Sequence, residues 1–138
     1  MTVGFVLVGH SRALAEATVE LSQQMVPAGA VPVEVAAGID GGKFGTDANT
    51  VVAAINAAHA ASDGDGVVVL LDLGSAVLST DLALEMLDAE IRQQVTVSSG
   101  PFVEGAVIGM VTASTGASRD SVASDIRNAL QPKQSQID

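Results

Sequence analysis

Several residue types are missing or scarce in this sequence. It has no cysteine, tryptophan or tyrosine, and three phenylalanines are its only aromatic residues. The lack of cysteine excludes disulfide bonds and thiol chemistry, and the few aromatic rings offer little surface for stacking nucleobases. Even so, 48% of the 138 residues are apolar, which is enough for one core built from Val, Leu, Ile and Ala.

Positive charge is also scarce, since six Lys and Arg face sixteen Asp and Glu, for a formal net charge of −10. Such a chain repels nucleic-acid phosphates and anionic lipid surfaces, so neither is an expected partner. The first apolar run, residues 3–8, stops at Gly9 and His10 and is too short for a signal peptide or a membrane span. We therefore expect a soluble, cytoplasmic protein.

Apolar, β-branched runs alternate with helical patterns along the chain. This alternation predicts an α/β fold, a three-layer αβα sandwich around a mainly parallel four-stranded sheet. We expect one domain over residues 1–130 and a frayed polar tail over 131–138. The four expected strands cover residues 3–8, 31–36, 67–71 and 95–97, and Pro32 suggests an edge position for the second.

Helix signals follow the first strand. Ser11 is a suitable N-cap for a helix that ends before Pro27 and Gly29. The helical period predicts a solvent face of Arg12, Glu16, Glu20 and Gln23 and a buried face of Leu14, Val19, Leu21 and Met25.

Two short segments are expected to meet at one edge of the sheet. In open parallel sheets, reactive groups gather beyond the carboxyl ends of the strands, where the strand order switches. The segments that follow the first and third strands are residues 9–12 (Gly-His-Ser-Arg) and 72–75 (Asp-Leu-Gly-Ser).

His10 lies where the first strand gives way to a helix. The free N–H groups of Ser11, Arg12 and the rest of that helix start can bind phosphoryl oxygens, and the helix dipole favours a neutral, nucleophilic imidazole. Gly9 leaves room for a reacting group, and Arg12 can offset its charge. From the residues alone, a simple capping role for His10 explains its position about equally well.

Asp72 follows the third strand. If the first and third strands are neighbours, its carboxylate reaches one ring nitrogen of His10, orients the ring and leaves the other nitrogen to attack. The amides of Gly74 and Ser75, at the next helix start, would share the phosphoryl oxygens. The residues alone leave open whether Asp72 is only a helix cap and Ser75 only a turn residue.

Other sites are disfavoured by spacing. The glycine-rich segment 38–46 is one residue too short for a P-loop, and Phe44 replaces the required Ser or Thr, so we expect a rim loop that ends in a helix cap at Thr46 or Asp47. His59 is expected on a helix surface, and no metal site is expected. A receiver-like domain phosphorylated on Asp72 stays an alternative, although the first strand lacks the paired acids that such a domain uses to bind a metal.

Four segments together resemble a known family: VLVGHSRALAEA (6–17), AAGIDGGKFGTDA (36–48), VVVLLDLGSAVLSTDLALEML (67–87) and GPFVEGAVIGMVTAS (100–114). They are similar to the phosphotransfer subunits of dihydroxyacetone kinase (DhaM), whose domain is related to mannose-family enzyme IIA of the phosphotransferase system. The resemblance reaches to about Leu130. It implies a mannose-family enzyme IIA-like fold, with the phosphorylated histidine at His10 and the motif aspartate at Asp72.

The same resemblance implies partners. His10 would accept a phosphoryl group from the phosphocarrier protein HPr, with phosphoenolpyruvate as ultimate donor, and pass it to ADP held by the nucleotide-binding kinase subunit. No cofactor is then bound by this chain, because ADP and ATP stay on the partner subunit, and a homodimer is expected. Mannose-family relatives carry a longer DLxGGSP-type segment than the DLGSA at 72–76, which favours the kinase branch.

Three alternatives remain at this stage: a sugar-transport enzyme IIA, a regulatory binding module without phosphoryl turnover, and the receiver-like domain. The partner surface is not located by the sequence. Phe44, Phe102 and Val103 are candidates for it if they are exposed near His10.

Overall fold

The computed structural model describes residues 2–138, which form four strands and seven α-helices. The strands are β1 (Gly4–Gly9), β2 (Val33–Ala37), β3 (Val67–Leu71) and β4 (Val95–Ser98). The helices are α1 (Arg12–Gln23), α2 (Ala48–Ser62), α3 (Ser75–Met86), α4 (Ala89–Arg92), α5 (Phe102–Ser114), α6 (Arg119–Arg127) and α7 (Gln131–Ile137).

All three strand pairings are parallel, in the order β2-β1-β3-β4. Every residue of β1 is buried, because helices cover both faces of the sheet. The predicted α/β class with a parallel four-stranded sheet is confirmed, and β2 lies at an edge, as Pro32 suggested. The central position of β1 beside β3 is the feature that matters for the site.

The two faces of the sheet pack against different helices. Val6 and Val8 contribute to a core shared with α2 and α3, whereas Phe5 and Leu7 contribute to one shared with α5 and α6. Burying one side chain of this size contributes about 1.5–3 kcal/mol to the free energy of folding. The sheet is therefore the middle layer between α2 and α3 on one side and α1, α5 and α6 on the other.

The predicted buried face of α1 is wrong for Leu14, Leu21 and Met25, whereas Val19 packs against the core. The buried residues of α1 are Ala15, Thr18 and Ser22, whereas Leu14, Leu21 and Met25 are 47%, 50% and 59% exposed and Val19 is half-buried. Small side chains let α1 lie close to its neighbours. The Thr18 and Ser22 hydroxyls each donate to the carbonyl four residues earlier, so burying them leaves no unpaired polar group.

The polar C-terminal segment is helical rather than frayed, which corrects the expectation for residues 131–138. Pro132 lies in the first turn of α7, where a missing N–H leaves no intrahelical bond unmade. Lys133 donates to the carboxylate of Glu104 on α5 and so ties α7 to the domain. The domain boundary at residue 130 itself stays a prediction.

The Lys133–Glu104 pair should make the helicity of α7 depend on pH. The hydrogen bond from the Lys133 ammonium lowers the pKa of Glu104, so the stabilisation is present above the ordinary carboxyl pKa and lost as pH falls through the lowered one. We expect Glu104→Gln to reduce the helicity of residues 131–137 at neutral pH, measured by ¹³Cα chemical shifts, and to have little effect once the wild-type carboxylate is protonated. A helix equally formed in both proteins at neutral pH would contradict this.

Candidate functional site

The strand order brings His10 and Asp72 together. Val8 of β1 pairs with Leu71 of β3, and the Asp72 N–H donates to the Val8 carbonyl at 3.1 Å. The N–H of His10 in turn donates to Asp72 Oδ2 at 2.8 Å. Both residues therefore leave neighbouring strands at the same level, at the carboxyl edge of the sheet.

The His10 ring is held at both nitrogens. Nδ1 lies 3.0 Å from Asp72 Oδ1 and 3.2 Å from Oδ2, and Nε2 lies 2.5 Å from the hydroxyl of Ser75. Because a carboxylate only accepts hydrogen bonds, it favours the tautomer with the proton on Nδ1. Nε2 then carries the lone pair, accepts from Ser75 and is the nitrogen available for attack.

The side chains of His10 and Asp72 differ in how far they are exposed to solvent. The Asp72 side chain is 8% exposed and the His10 side chain 24%, so the orienting group is enclosed while the ring stays within reach of an incoming group. The Leu73 N–H also donates to Asp72 Oδ1, at 2.6 Å. The carboxylate thus accepts from two backbone amides besides the ring, which leaves it poorly placed to act as a nucleophile in a receiver-like reaction.

Gly9 makes room for the Asp72 carboxylate, a reason for a glycine that the sequence did not reveal, and its expected role of leaving room for an incoming group stays a prediction. A Cβ at position 9 would lie 2.9 Å from Asp72 Oδ2, a distance that real side chains essentially never show. Gly9 therefore lets the carboxylate reach both the backbone and the ring of His10.

Ser11 and Arg12 lie at the start of α1, and in the part of the chain that the structure describes neither side chain is hydrogen-bonded to the His10 ring. The Ser11 hydroxyl accepts from the Leu14 N–H at 3.2 Å and is the N-cap, as predicted. Arg12 pairs loosely with Glu16, with 3.5 Å between Nε and Oε1, and lines an open depression of about 640 Å³ together with Lys43. A phosphoryl-binding role for Ser11 and Arg12 stays a prediction.

Gly74 and Ser75 begin α3 beside the ring. Gly74 is the helix N-cap, and the amides of Ala76 and Val77 are already bonded to the carbonyls of Leu73 and Gly74. Contact with His10 comes from the Ser75 hydroxyl, whereas the sequence pointed only to the backbone amides of Gly74 and Ser75. A phosphoryl-binding role for the amides of Gly74 and Ser75 stays a prediction.

Comparison with known proteins identifies the family of this chain. The family model EIIA-man, described as the PTS system fructose IIA component, matches residues 4–123. The chain belongs to the EIIA-man family.

Curated relatives of this EIIA-man chain include two of very different length. It is 40% identical, over 98% of its residues, to the PEP-dependent dihydroxyacetone kinase phosphoryl donor subunit DhaM of Escherichia coli (strain K12), and it spans only 28% of that protein. It is 31% identical to the corresponding DhaM of kinase 2 in Listeria innocua, covering 91% of this chain and 98% of that one. The chain thus spans little more than a quarter of the first relatives it matches.

Solved structures support the EIIA-man fold. A protein of unknown function superposes with a TM-score of 0.79 at 27% identity, covering 93% of this chain and 95% of that one. The mannose/sorbose specific IIA subunit of the phosphotransferase system from Enterococcus faecalis superposes with a TM-score of 0.60 at 21% identity, covering 96% and 92%. The second likeness concerns the fold alone.

The glycine-rich loop, residues 38–46, forms a wall of the site in this EIIA-man domain. Gly38 donates to the Gly9 carbonyl at 3.2 Å and Gly45 to the His10 carbonyl at 2.9 Å. Thr46 hydrogen-bonds to Ser79 of α3 at 2.5 Å, and Asp47 caps α2. The sequence predicted a rim loop and its cap but missed these direct links to His10, for which the closely spaced glycines were the available signal.

The remaining histidine does not join the site. His59 Nε2 lies 2.6 Å from the side-chain oxygen of Gln94, and the residue is half-buried rather than on an open helix surface. Over residues 2–138, no group of three or more His, Cys, Asp or Glu is arranged to bind a metal ion. Within that range, no helix has the length and apolar character needed to cross a membrane.

The tautomer of His10 is directly measurable. We expect long-range ¹H–¹⁵N spectra to show a proton on Nδ1 and a lone pair on Nε2 at a pH where the ring is neutral. Asp72→Asn should shift the population towards the other tautomer, because a carboxamide also offers an N–H donor. Ser75→Ala is the control that keeps Asp72 and should retain the Nδ1 proton. A wild-type ring protonated mainly on Nε2 would contradict the assignment.

Proposed function

We propose that this chain is the phosphocarrier of a phosphoenolpyruvate-dependent dihydroxyacetone kinase system. His10 accepts a phosphoryl group from HPr and transfers it to ADP on the nucleotide-binding kinase subunit. The observation that carries the proposal is the partly exposed His10 ring, whose Nδ1 is held by Asp72 and whose Nε2 faces the start of α3. The DhaM relatives, which are phosphoryl donor subunits of dihydroxyacetone kinases, support it.

Both phosphoryl transfers take place at Nε2 of His10. The Nε2 lone pair of His10 attacks the phosphorus of the donor phosphohistidine, and the N–P bond in the donor breaks as the new one forms. The Nδ1 proton stays on the ring, where the Asp72 carboxylate offsets the positive charge that develops. In the second step a terminal ADP oxygen attacks the phosphorus, and the electron pair of the N–P bond returns to Nε2.

The surroundings of Nε2 suit a loose phosphoryl-transfer transition state, which needs positioning and charge stabilisation more than covalent help. The Ser75 hydroxyl, which donates to Nε2 in the unphosphorylated protein, turns to donate to a phosphoryl oxygen. The amides of Gly74 and Ser75 complete the cradle, and the positive end of the α3 dipole favours the incoming charge. Arg12 lies farther out and acts on the approach of the anion.

Within this proposal the chain itself binds no cofactor, since ADP and ATP stay on the partner subunit. Its reaction class is that of a phosphoenolpyruvate–glycerone phosphotransferase component, and it works in the cytoplasm as a homodimer. No nucleic acid or membrane takes part.

A protein partner is supported by an apolar collar around His10, formed by Phe44, Leu73 and Leu78. These side chains are 79%, 64% and 74% exposed, and among residues 2–138 Ile137, at 77%, is the one other large hydrophobic residue above 60%. Exposed apolar side chains that surround a reactive group mark an interaction surface. Phe44 was a candidate from the sequence, whereas Phe102 packs against the core and Val103 is only 38% exposed.

The labelling reaction tests the proposal. Phosphoenolpyruvate, enzyme I and HPr together should label the chain on His10 through an acid-labile, base-stable bond, and His10→Gln should abolish the label. Adding the ADP-loaded kinase subunit should discharge it with formation of ATP. A label that survives His10→Gln would overturn the assignment.

Two further arms sharpen this experiment. Asp72→Asn should slow labelling on the order of 10²-fold while the fold is kept, because the ring loses its orienting carboxylate. Replacing the kinase subunit by the B component of a sugar transporter should leave the label in place. Discharge to the transporter component and not to the kinase subunit would favour the sugar-transport alternative.

The collar makes a separate prediction. Phe44→Ala should raise the KM for the phosphorylated donor about tenfold and leave the rate at saturation nearly unchanged, because a hot-spot contact is lost and the chemistry is not. Ile137→Ala removes an equally exposed side chain at the far end of the chain and should change neither value. Equal effects of the two variants would show that the collar is not part of the docking surface.

A further inference from the structure

A continuous series of hydrogen bonds joins the side chains of Ser75, His10 and Asp72. The Ser75 hydroxyl lies 2.5 Å from His10 Nε2, and Nδ1 of the same ring lies 3.0 Å from Asp72 Oδ1. A hydroxyl nucleophile, a base within hydrogen-bond reach and a third group that orients the base define a Ser-His-Asp triad, which is recognised by geometry and not by sequence position. The three residues have this geometry, although a phosphoryl relay needs only the imidazole as a nucleophile.

Each member of this triad is placed as its role in a triad requires. The Asp72 side chain is only 8% exposed, whereas Ser75 is exposed at the first residue of α3. With the Nδ1 proton directed at Asp72, the Nε2 lone pair faces the hydroxyl and can accept its proton. The Ser75 oxygen is therefore both activated and open to an electrophile from solvent.

Two backbone donors remain free beside Ser75. The amides of Ala76 and Val77 donate to the carbonyls of Leu73 and Gly74, whereas those of Gly74 and Ser75 have no acceptor among the residues that the structure describes. Free N–H groups at a helix start stabilise an oxyanion that develops next to them, and the helix dipole adds to the attraction. The start of α3 thus supplies donors for a tetrahedral intermediate as well as the nucleophile.

An open depression of about 370 Å³ adjoins the start of α3. Asp72 is the only charged residue that lines it, and its carboxylate is already bonded to His10. Its volume is near the lower end of the range of small-molecule sites, about 300–1,000 Å³. A neutral group with a short apolar chain suits it better than an anion does, because most of its lining is apolar: Leu71, Leu73, Val77, Pro101 and Phe102.

We propose that the unphosphorylated chain also catalyses acyl transfer, with Ser75 as the nucleophile and a short-chain carboxylic ester as the class of substrate. Nε2 takes the hydroxyl proton while Oγ bonds to the carbonyl carbon, and the carbonyl electron pair moves onto its oxygen. When that pair returns, the bond to the leaving alkoxide breaks, and Nε2 donates the proton to it. Water then attacks the acyl-serine by the same steps and releases the acid.

This activity goes beyond the proposed phosphoryl relay, and the two exclude each other in time. A phosphoryl group on Nε2 uses the lone pair that Ser75 requires. Ser75 cannot take that group for itself, because phosphoryl transfer needs the attacking and leaving atoms in line. An in-line oxygen would lie beyond the phosphorus atom, whereas Ser75 Oγ lies 2.5 Å from Nε2, beside the bond that would break. The serine therefore reacts only in the unphosphorylated chain.

Hydrolysis of p-nitrophenyl butyrate by the unphosphorylated full chain tests the proposal. Ser75→Ala and His10→Gln should each lower kcat/KM on the order of 10²-fold, and the double variant should lower it no further, because residues that act as one unit have non-additive effects. Ser114→Ala is the matched control. It removes an exposed hydroxyl that donates to the Val111 carbonyl instead of a histidine, and it should leave kcat/KM unchanged.

A fluorophosphonate probe identifies the nucleophile in the wild-type chain without any substitution. The Ser75 oxygen should displace fluoride and form an acid-stable phosphonate ester, located by peptide mass spectrometry, and His10→Gln should prevent the reaction although Ser75 is present. Circular dichroism checks that the variants are folded. An acid-labile adduct on His10, or hydrolysis as fast in Ser75→Ala as in the wild type, would overturn the proposal, because the imidazole would then react directly. No phosphoryl donor or acceptor is added, so these results and those of the labelling reaction can fail independently.

Discussion

The carboxylate of Asp72 is the group on which the site depends. It accepts hydrogen bonds from the backbone of His10 at 2.8 Å and of Leu73 at 2.6 Å, as well as from the His10 ring. A carboxylate held by two amides cannot rotate freely, so it fixes both the tautomer and the direction of the imidazole. The arrangement requires a residue without a side chain at Gly9, and it requires β1 and β3 to be adjacent.

The same strand order explains why the site is shallow. His10 and Asp72 stand at the ends of the two central strands, with the loop 38–46 on one side and the start of α3 on the other. An open site of this kind encloses no small substrate, but it lets a reactive group on another protein approach Nε2. Phosphoryl transfer asks for little more than this positioning and a few hydrogen-bond donors.

The use of small residues inside the fold has a consequence at its surface. Ala15, Thr18 and Ser22 of α1 face inwards, so the larger apolar side chains of that helix are left outside. Leu14, Leu21 and Met25 are therefore about half exposed, although the sequence alone predicts them buried.

The strand order β2-β1-β3-β4 decided that His10 and Asp72 meet, since the sequence left their contact conditional on the first and third strands being neighbours. The sequence by itself determined the strands, the helix cap at Ser11 and the positions of His10 and Asp72 at strand ends, because buried β-branched runs and local capping bonds act over short stretches. It did not determine which flank of α1 is buried, the hydroxyl of Ser75 on Nε2, the bond from Gly45 to His10, or the helix at 131–137. Each of these depends on contacts between residues far apart in the chain. Several side-chain stripes and loop positions satisfy the local pattern equally well, and only the packing of the layers selects among them.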